Sequence, residues 1–362
     1  MTPKSLAGVC FLAVLSLGGV AWSRSSDIKQ PCVTCHTMHN SQNGVVVPGN
    51  STTKGALLNN SCYGCHSGVN AGDNSDPRCP KVLHLTANPP PAAPYMTTGT
   101  ENGHNTLAGG DFFWVVQGDD LKGHNVNIPG VNQASRYPPG NSTKLFDSTN
   151  PLTCAGVNGC HGNLSSSSDI IAMYRTHHAV EQSQPMSGAS LIQSYRWLDG
   201  VAGFEDPDYE FTVSSSDHNQ YKGIDRTGDT DESLSISHLC AGCHGDFHAG
   251  AGNLGVWDGA TSFGADPWIR HPVDYDMGLS GEFAGYGGAG VNAYNVATPV
   301  GSAVVTSVLS SVTGSGDTII VCVSCHRAHG SPYDYSLRWD YKSWPGGATA
   351  YNGCGDCHTV KN

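Results

Sequence analysis

Apolar positions recur with helical spacing in two stretches of the chain. Ser168 can cap a short helix that runs from Asp169 towards His177 and His178. Ser187 can cap a second helix, which ends near residue 200. The apolar positions of these helices are Ile170, Ile171 and Tyr174 in the first, and Leu191, Ile192, Tyr195 and Leu198 in the second.

One region has the composition of a β-hairpin. The stretches Ala303 to Val308 and Thr318 to Val321 are rich in β-branched side chains and flank a turn at Gly314 to Gly316. The second strand leads directly into Cys322, so the hairpin is predicted to hold the segment that follows it. Elsewhere Gly, Ser, Asn and Pro recur, for example in residues 88–91 and 281–290, which predicts loops.

Glycine and proline are abundant, with 46 and 20 copies among 362 residues, and only 13% of the residues are charged. Such a chain is poor in helix and strand formers. A protein of this size normally buries a hydrophobic core, yet long apolar periodic runs are scarce. The sequence therefore predicts a mostly irregular fold with few short helices and a small β-hairpin, and a core that packed side chains alone do not supply.

The first residues have the pattern of a secretory signal peptide, with Lys4 before an apolar run from Leu6 to Ala21 and small residues before Arg24. We expect residues 1–23 to be removed, with Cys10 among them, and residues 24–362 to form a single domain. The run is too short for a convincing membrane anchor, and no later segment is apolar enough to span a bilayer. The sequence thus predicts an exported protein.

A pattern of two cysteines, a two-residue gap and an adjacent histidine first occurs at Cys32, Cys35 and His36. It is the attachment signature of c-type haem, in which the two thiols bind the porphyrin and the histidine ligates the iron. Four further copies match without deviation: Cys62, Cys65 and His66; Cys240, Cys243 and His244; Cys322, Cys325 and His326; Cys354, Cys357 and His358.

A sixth candidate, ending at His161, has five residues between Cys154 and Cys160. Two of the five are glycine, so the loop could fold away and still present both sulfurs. The alternatives at this place are a disulfide or two free thiols beside a structural histidine. Zinc is the alternative for the five standard copies, but zinc sites do not require a histidine directly after every second cysteine. We therefore predict six haem c groups, stacked to form the core of the protein.

Eleven of the seventeen histidines lie outside the motifs, which is more than six haems with two axial histidines each require. His84, His124, one of His177 and His178, and His271 are the favoured second ligands among the isolated histidines. The sequence leaves His104 undecided, and His218 and His238 are expected to be surface or hydrogen-bonded residues.

Three motifs are followed three or four residues later by another histidine, and these are His39, His248 and His329. On a helical turn such a residue lies on the same face as the motif histidine. The two axial ligands of one iron lie on opposite sides of the porphyrin, so the second histidine should ligate a different haem. This would bring two porphyrins close together, as electron transfer between haems requires.

Several blocks of the chain resemble the family of extracellular hexahaem cytochromes that polymerise into nanowire filaments. The blocks lie in the same order from end to end, although the sequence between them diverges. They are Cys32 to Asn40, Gly109 to Val115, Lys122 to Asn125, Cys240 to His248, Arg270 to Pro272, Cys322 to His329 and Cys354 to His358.

The resemblance implies a continuous stack of haems, each with two axial histidines. It also implies that His39 leaves its own subunit and ligates the haem held by His326 in the next one. The third motif departs from the family pattern because its gap is wide and no histidine follows closely. His177 or His178 could have taken the role of that missing ligand.

These features predict an exported electron-transfer protein, not an enzyme, that polymerises head to tail at the cell surface and passes electrons to partner proteins or extracellular acceptors. One alternative is a monomeric periplasmic or surface carrier in which His39 binds within its own chain. Another is a multihaem reductase, which needs an iron with an exchangeable ligand. Nothing in the sequence marks such an iron.

The net charge of −12 argues against nucleic acid as a partner, and haem propionates would make the protein more negative. Residues 225–232 contain four acidic side chains, but their spacing differs from a calcium-binding loop, and a solvated acidic loop is the better interpretation. Cys79 is the one cysteine of the predicted mature chain outside the motifs and is expected to be a buried or spare thiol.

Overall fold

The computed structural model describes fourteen segments of the chain. They are residues 23–24, 31–37, 41–42, 45–46, 57–67, 79–84, 107–179, 182–211, 213–225, 233–247, 271–278, 281–287, 294–343 and 351–358. Within them the helices are short and most residues lie in turns and irregular loops. The predicted fold class, mostly irregular with a few short helices and little sheet, is confirmed.

Six α-helices of four to six residues occur in the described segments. They are α1 Cys62–Cys65, α2 Phe113–Val116, α3 Asp169–Ala172, α4 Ile236–Ala241, α5 Cys322–Cys325 and α6 Cys354–Cys357. Single 3-10 turns occur at Cys32–Thr34, Asp120–Lys122, Leu191–Gln193, Tyr195–Trp197, Gly245–Phe247, Gly281–Phe283, Asp334–Ser336 and Tyr341–Ser343. Three of the six α-helices, α1, α5 and α6, lie on the attachment motifs, where two cysteines stand one turn apart.

The strands are two or three residues long. They are β1 Ser23–Arg24, β2 Ser41–Gln42, β3 Val45–Val46, β4 Gln182–Ser183, β5 Gly203–Phe204, β6 Gln220–Lys222, β7 Tyr275–Asp276, β8 Gly301–Ser302 and β9 Ile319–Ile320. Two antiparallel pairs, β1 with β4 and β2 with β3, stand apart from a five-stranded sheet of order β5-β6-β8-β9-β7. In that sheet β6 and β8 are parallel and the other neighbours are antiparallel.

In the described part of the chain, side chains form three larger hydrophobic clusters and a small fourth one around Ala297 instead of one core. The first surrounds the sheet and includes Tyr195, Tyr221 and Ile319. A second lies around Phe112 and Val115, and a third contains Met277, Tyr286 and Val300. The clusters are small for a chain of this length, which leaves room for the cavity described below.

The helix predicted after Ser168 is present but short. The Ser168 hydroxyl accepts a hydrogen bond from Ile171 N at 3.4 Å, as a cap should, and α3 ends at Ala172. The chain then continues through turns to His177 and His178. Both apolar positions at the end of the predicted helix, Ile171 and Tyr174, are exposed, so no packing extends the helix beyond one turn.

The helix predicted after Ser187 is wrong. The segment forms two separate 3-10 turns, at Leu191–Gln193 and Tyr195–Trp197. Arg196 has a φ of 48° and Trp197 a φ of 56°, which no α-helix accommodates. The cause is tertiary, because the Arg196 guanidinium is directed into a buried polar cluster with Glu205 and Asn219.

The hairpin prediction is correct for its second strand and wrong for its first, because the partner of β9 lies just before the predicted stretch Ala303 to Val308. Strand β9 lies in the predicted second half, but its partner β8 ends at Ser302 and the residues after Ala303 are irregular. The Ser302 hydroxyl donates to the Val304 carbonyl at 2.9 Å, and the Val304 side chain is 66% exposed. The β-branched run therefore lacks a surface to pack on beyond its first residues.

Residues 1–22 of the proposed signal peptide, with Cys10, lie outside the described residues, as do His39, His104 and His248. Across the described part of the chain no helix has the length and apolar character needed to cross a membrane.

Candidate haem-binding site

One large cavity of about 2960 Å³ runs through the protein. Eleven of the twelve motif cysteines line it, together with the ten histidines His36, His66, His124, His161, His177, His178, His244, His271, His326 and His329. Of the twelve, Cys357 is the one outside that lining, and it is buried. The motifs are scattered over more than 300 residues of sequence but open on one continuous space.

Each of the five standard motifs closes in the same way. The backbone N–H of the motif histidine donates to the backbone carbonyl of the first cysteine at 2.8 to 3.1 Å, as in His66 to Cys62 and His326 to Cys322. This bond makes one helical turn that holds two sulfurs and an imidazole together. In α1 the Ser61 hydroxyl adds a cap by accepting from Gly64 N at 3.3 Å.

The widened motif reproduces this closure. His161 N donates to Cys154 O at 3.0 Å, the same bond over a longer loop. Gly156, at φ +83°, makes the turn that takes the extra residues aside. At Gly159 a Cβ atom would lie 2.5 Å from Ala155 N, so only glycine fits there. Cys154 and Cys160 are free thiols and not a disulfide, so both sulfurs remain available for attachment.

Imidazole rings stand opposite each other in five pairs, each joining a motif histidine to one from elsewhere in the chain. The pairs are His36 with His178, His66 with His177, His161 with His329, His244 with His124, and His358 with His271, and their ring centroids are 6.0 to 6.4 Å apart. A metal ion between two imidazoles forms a metal–nitrogen bond of about 2.0–2.1 Å to each of them. Adding the distance from each nitrogen to the centre of its ring gives roughly the observed separation of the centroids. The residues therefore fit a haem iron between each pair.

The ring nitrogens have the protonation that iron binding requires. Nδ1 of His66 lies 2.8 Å from Pro80 O, and Nδ1 of His124 lies 2.6 Å from Ala328 O. A carbonyl only accepts, so Nδ1 carries the proton and Nε2 keeps its lone pair. The same holds for His161, His244, His271, His326 and His329, with carbonyls at 2.8 to 3.4 Å. Such contacts also fix the orientation of a metal-ligating ring.

Burial, followed by neighbouring imidazoles, lowers the pKa of His177 to about 4 and that of His329 to about 3. Burial also lowers the pKa of His66, His124 and His244. A neutral imidazole is the form that ligates a metal.

The attachment sites meet in the order of the sequence. The thiols of Cys62 and Cys154 interact, and so do those of Cys240 and Cys322. Electrostatic contacts join the other successive motifs, Cys35 with Cys65, Cys160 with Cys243, and Cys325 with Cys354. Successive motifs therefore lie next to one another in the order of the sequence.

His177 and His178 both belong to opposed pairs, whereas the sequence favoured only one of them. Although they are adjacent in sequence, they face different motif histidines: His177 faces His66, and His178 faces His36. His329, which follows His326 by three residues, faces His161 and not its neighbour's site. The expectation that such a histidine serves another haem agrees with this placement.

His326 is exposed to the cavity, and within the described segments no imidazole stands opposite it. Its Nδ1 lies 2.8 Å from Tyr335 O, like the other motif histidines. Burial, and to a smaller extent the nearby His244 and His271, lowers the pKa of His326. Since these two histidines belong to the fourth and sixth sites, the site of His326 lies between them. His39 and His248, the two predicted ligands without a described position, remain candidates for it.

His84 does not share the arrangement of the paired rings. It is 2% exposed, and its Nδ1 lies 2.5 Å from Asp111 Oδ2, whereas every paired ring is at least partly exposed. Asp111 also accepts from His84 N and from Phe113 N at the start of α2. The structure thus places the predicted ligand His84 in a buried polar contact that ties two segments together.

The remaining candidates are structural or peripheral. His218 is buried and its Nδ1 lies 3.0 Å from Ser214 O, and His238 is exposed on α4. Cys79 is a free thiol that donates to Cys65 O at 3.2 Å. Of the acidic stretch, the structure describes Asp225, whose carboxylate accepts from Asp276 N at 3.1 Å.

Two comparisons of sequence agree with this geometry. The family model described as "Doubled CXXCH motif" matches residues 314–362, which contain the last two attachment motifs. The chain is 26% identical to C-type cytochrome OmcS of Geobacter sulfurreducens over an alignment of 394 residues, which covers 93% of this chain and 85% of that protein.

Two solved structures are also similar. One is the outer membrane cytochrome S filament from Geobacter sulfurreducens, with 20% identity, a TM-score of 0.46 and coverage of 88% of this chain and 85% of that one. The other is a cryo-EM structure of OmcS nanowires, with 21% identity, a TM-score of 0.45 and coverage of 86% and 84%. By its motifs and its sequence similarity, the chain is homologous to C-type cytochrome OmcS and carries attachment sites for haem c.

Proposed function

We propose that this protein transfers electrons outside the cell through six haem c groups, each ligated by two histidines. The observation that carries the proposal is the set of five opposed imidazole pairs at motifs that meet in sequence order. The homology to C-type cytochrome OmcS supports it. In this proposal the mature chain is residues 24–362, a single domain exported by the signal peptide of residues 1–23.

Bound haem c would supply a reversible one-electron couple at each site. The protein itself would hold each porphyrin and orient its ligands. The cysteines fix each porphyrin, and the backbone carbonyls fix the ring planes of the ligands. Histidines on both sides would leave no open coordination position for a substrate, so the proposed protein is a carrier of electrons and not an enzyme.

The fifth site, that of His326, supports a proposal about assembly. His326 has a position like the other motif histidines, but the described residues give it no second ligand. We propose that His39 of a neighbouring subunit provides it. A contact that joins the N-terminal region of one subunit to the fifth site of the next is heterologous, and if it repeats without closing it produces a fibre. OmcS forms filaments, as its solved structures are titled.

The experiment that tests this proposal compares His39→Ala with His238→Ala, which changes an exposed histidine outside the opposed pairs. Negative-stain electron microscopy and electron paramagnetic resonance are recorded on both holoproteins. We expect filaments and low-spin haem in the control. In His39→Ala we expect dispersed subunits with one high-spin haem in six.

Intact filaments of His39→Ala would overturn the assembly proposal. A wild-type protein that is monomeric, with all six haems low-spin, would instead support a soluble carrier with His39 or His248 bound within its own chain. A high-spin haem in the wild type that binds added carbon monoxide would contradict the electron-carrier proposal and favour a reductase.

A further inference from the structure

The surroundings of the last two haem sites differ in charge. Four motif histidines, His66, His161, His244 and His326, have Nδ1 within hydrogen-bond distance of a backbone carbonyl. For His358 the group facing Nδ1 is a carboxylate, with Glu282 Oε2 at 3.7 Å. Among the motif histidines whose Nδ1 surroundings are described, this is the one with an acidic side chain there.

The local structure holds Glu282 close to the His358 ring. It lies in the 3-10 turn Gly281–Phe283, and the Phe283 ring packs near the His358 ring with centroids 5.9 Å apart. The side chains of His358 and Glu282 are 24% and 32% exposed. Partial burial reduces the screening of the carboxylate charge by water.

The fifth site has the opposite charge beside it. Arg338 is 3% exposed, its Nε donates to Val323 O at 2.6 Å, and its backbone N donates to Cys325 O at 2.8 Å. A buried guanidinium therefore lies against the motif that ends at His326. Its charge also acts on the His326 imidazole, after the larger effect of burial.

Reduction of a haem iron adds one negative charge to the site. A carboxylate near the site, such as that of Glu282, opposes the added charge and so disfavours reduction. A nearby guanidinium favours reduction for the same electrostatic reason. Both effects act on the potential of the iron without touching it.

We propose that Glu282 lowers the reduction potential of the haem at Cys354 and Cys357, so that the array has a downward step in potential between its fifth and sixth haems. Glu282 is a positioning and tuning residue that acts through His358. Electrons in a partly reduced array then reside on the fifth haem in preference to the sixth. The inference rests on the proposed ligation of both haems.

The test is a redox titration of the holoprotein, followed by absorbance and by electron paramagnetic resonance. Glu282→Gln removes the charge, Glu282→Asp retains it, and Asp217→Asn is the control. Asp217 is exposed and is not among the described residues that line the cavity. We expect Glu282→Gln to raise the reduction equilibrium constant of one haem about tenfold, which is about 59 mV for a one-electron couple.

We expect the other five haems of Glu282→Gln to have wild-type reduction potentials. We expect the same for all haems of Glu282→Asp and of Asp217→Asn. Unchanged potentials in Glu282→Gln, or an equal shift in Asp217→Asn, would overturn the inference. So would loss of the low-spin signal in Glu282→Gln, because Glu282 would then hold the ligand and not tune a ligated haem. Fewer than six low-spin haems in the wild-type filament would instead contradict the proposed function.

Discussion

The rings of His36 and His178 face each other with their centroids 6.0 Å apart and their planes 19° from parallel. The residue before His178 faces a different motif histidine, His66, at 6.3 Å. Two consecutive residues therefore serve two different sites. Because one peptide unit joins these two residues, the first and second attachment sites lie close together, and so would the haems proposed there.

Single substitutions of this pair should separate the two sites. We expect His178→Ala to convert one haem to a high-spin form and His177→Ala to convert another, while each leaves five low-spin haems. Electron paramagnetic resonance and magnetic circular dichroism measure the change. The same altered haem in both variants, or no change in either, would show that the opposed rings are not the ligands.

The widened motif should depend on Gly159, where a Cβ atom would lie 2.5 Å from Ala155 N. Overpacking of this kind costs about 1–3 kcal/mol. We expect Gly159→Ala to reduce the fraction of protein that carries six haems, as measured by intact-protein mass spectrometry. Gly245→Ala is the matched control, because nothing lies within 4 Å of its Cβ position. Equal haem content in the two variants would contradict this role of the loop.

A buried ion pair supports the third site. The Arg196 guanidinium lies 3.7 Å from Glu205 Oε2, and Arg196 O is 3.0 Å from Nδ1 of His161. We expect Arg196→Met to lower the free energy of unfolding by about 3–5 kcal/mol, because a buried carboxylate loses its cation.

Thermal unfolding followed by circular dichroism measures this loss. The double variant with Glu205→Gln should recover part of the stability, and the exposed Arg175→Met should change it little. An Arg196→Met protein as stable as the Arg175→Met protein would contradict the proposed support.

The carboxylate of Asp276 should make the stability of the folded protein depend on pH. Burial raises its pKa, but hydrogen bonds from Thr318, Ser315 and two backbone N–H groups together lower it below 3.8. A carboxylate with a lowered folded-state pKa adds stability above its unfolded value, and that stability is lost as the pH falls through the folded-state pKa.

We therefore expect Asp276→Asn to be less stable than the wild type by about 1 kcal/mol at neutral pH, a low value because the side chain is partly exposed. Thermal midpoints measured from pH 7 down to pH 3 should converge below about pH 4. A difference that is constant over this range would contradict the assignment.

The attachment motifs are legible in the sequence, because covalent haem attachment needs a fixed local pattern, and the structure gives each motif the same local closure. Haem attachment at each of the six stays a prediction. His329 was also predictable, since helical geometry directs it away from the site of His326. Pairing of distant ligands was not predictable. His178 and His36 are 142 positions apart, and irregular loops between motifs give no register that brings them together.

The helix predicted after Ser187 is an error with a tertiary origin. The segment has helical spacing, but the buried partners of Arg196 impose a positive φ on it. Local sequence patterns do not contain such contacts. The ligand role of His84 stays a prediction: its Nδ1 lies 2.5 Å from Asp111 Oδ2, and its Nε2 is buried without a hydrogen-bond partner among the described residues.

Electron cryo-microscopy of filaments sheared from the source cells would show the haem array and its ligands together. We expect an unbranched filament with six haems in each subunit, a histidine on both sides of every iron, and His39 of one subunit opposite His326 of the next. Discrete particles of one chain, in which every haem has both ligands from that chain, would contradict it.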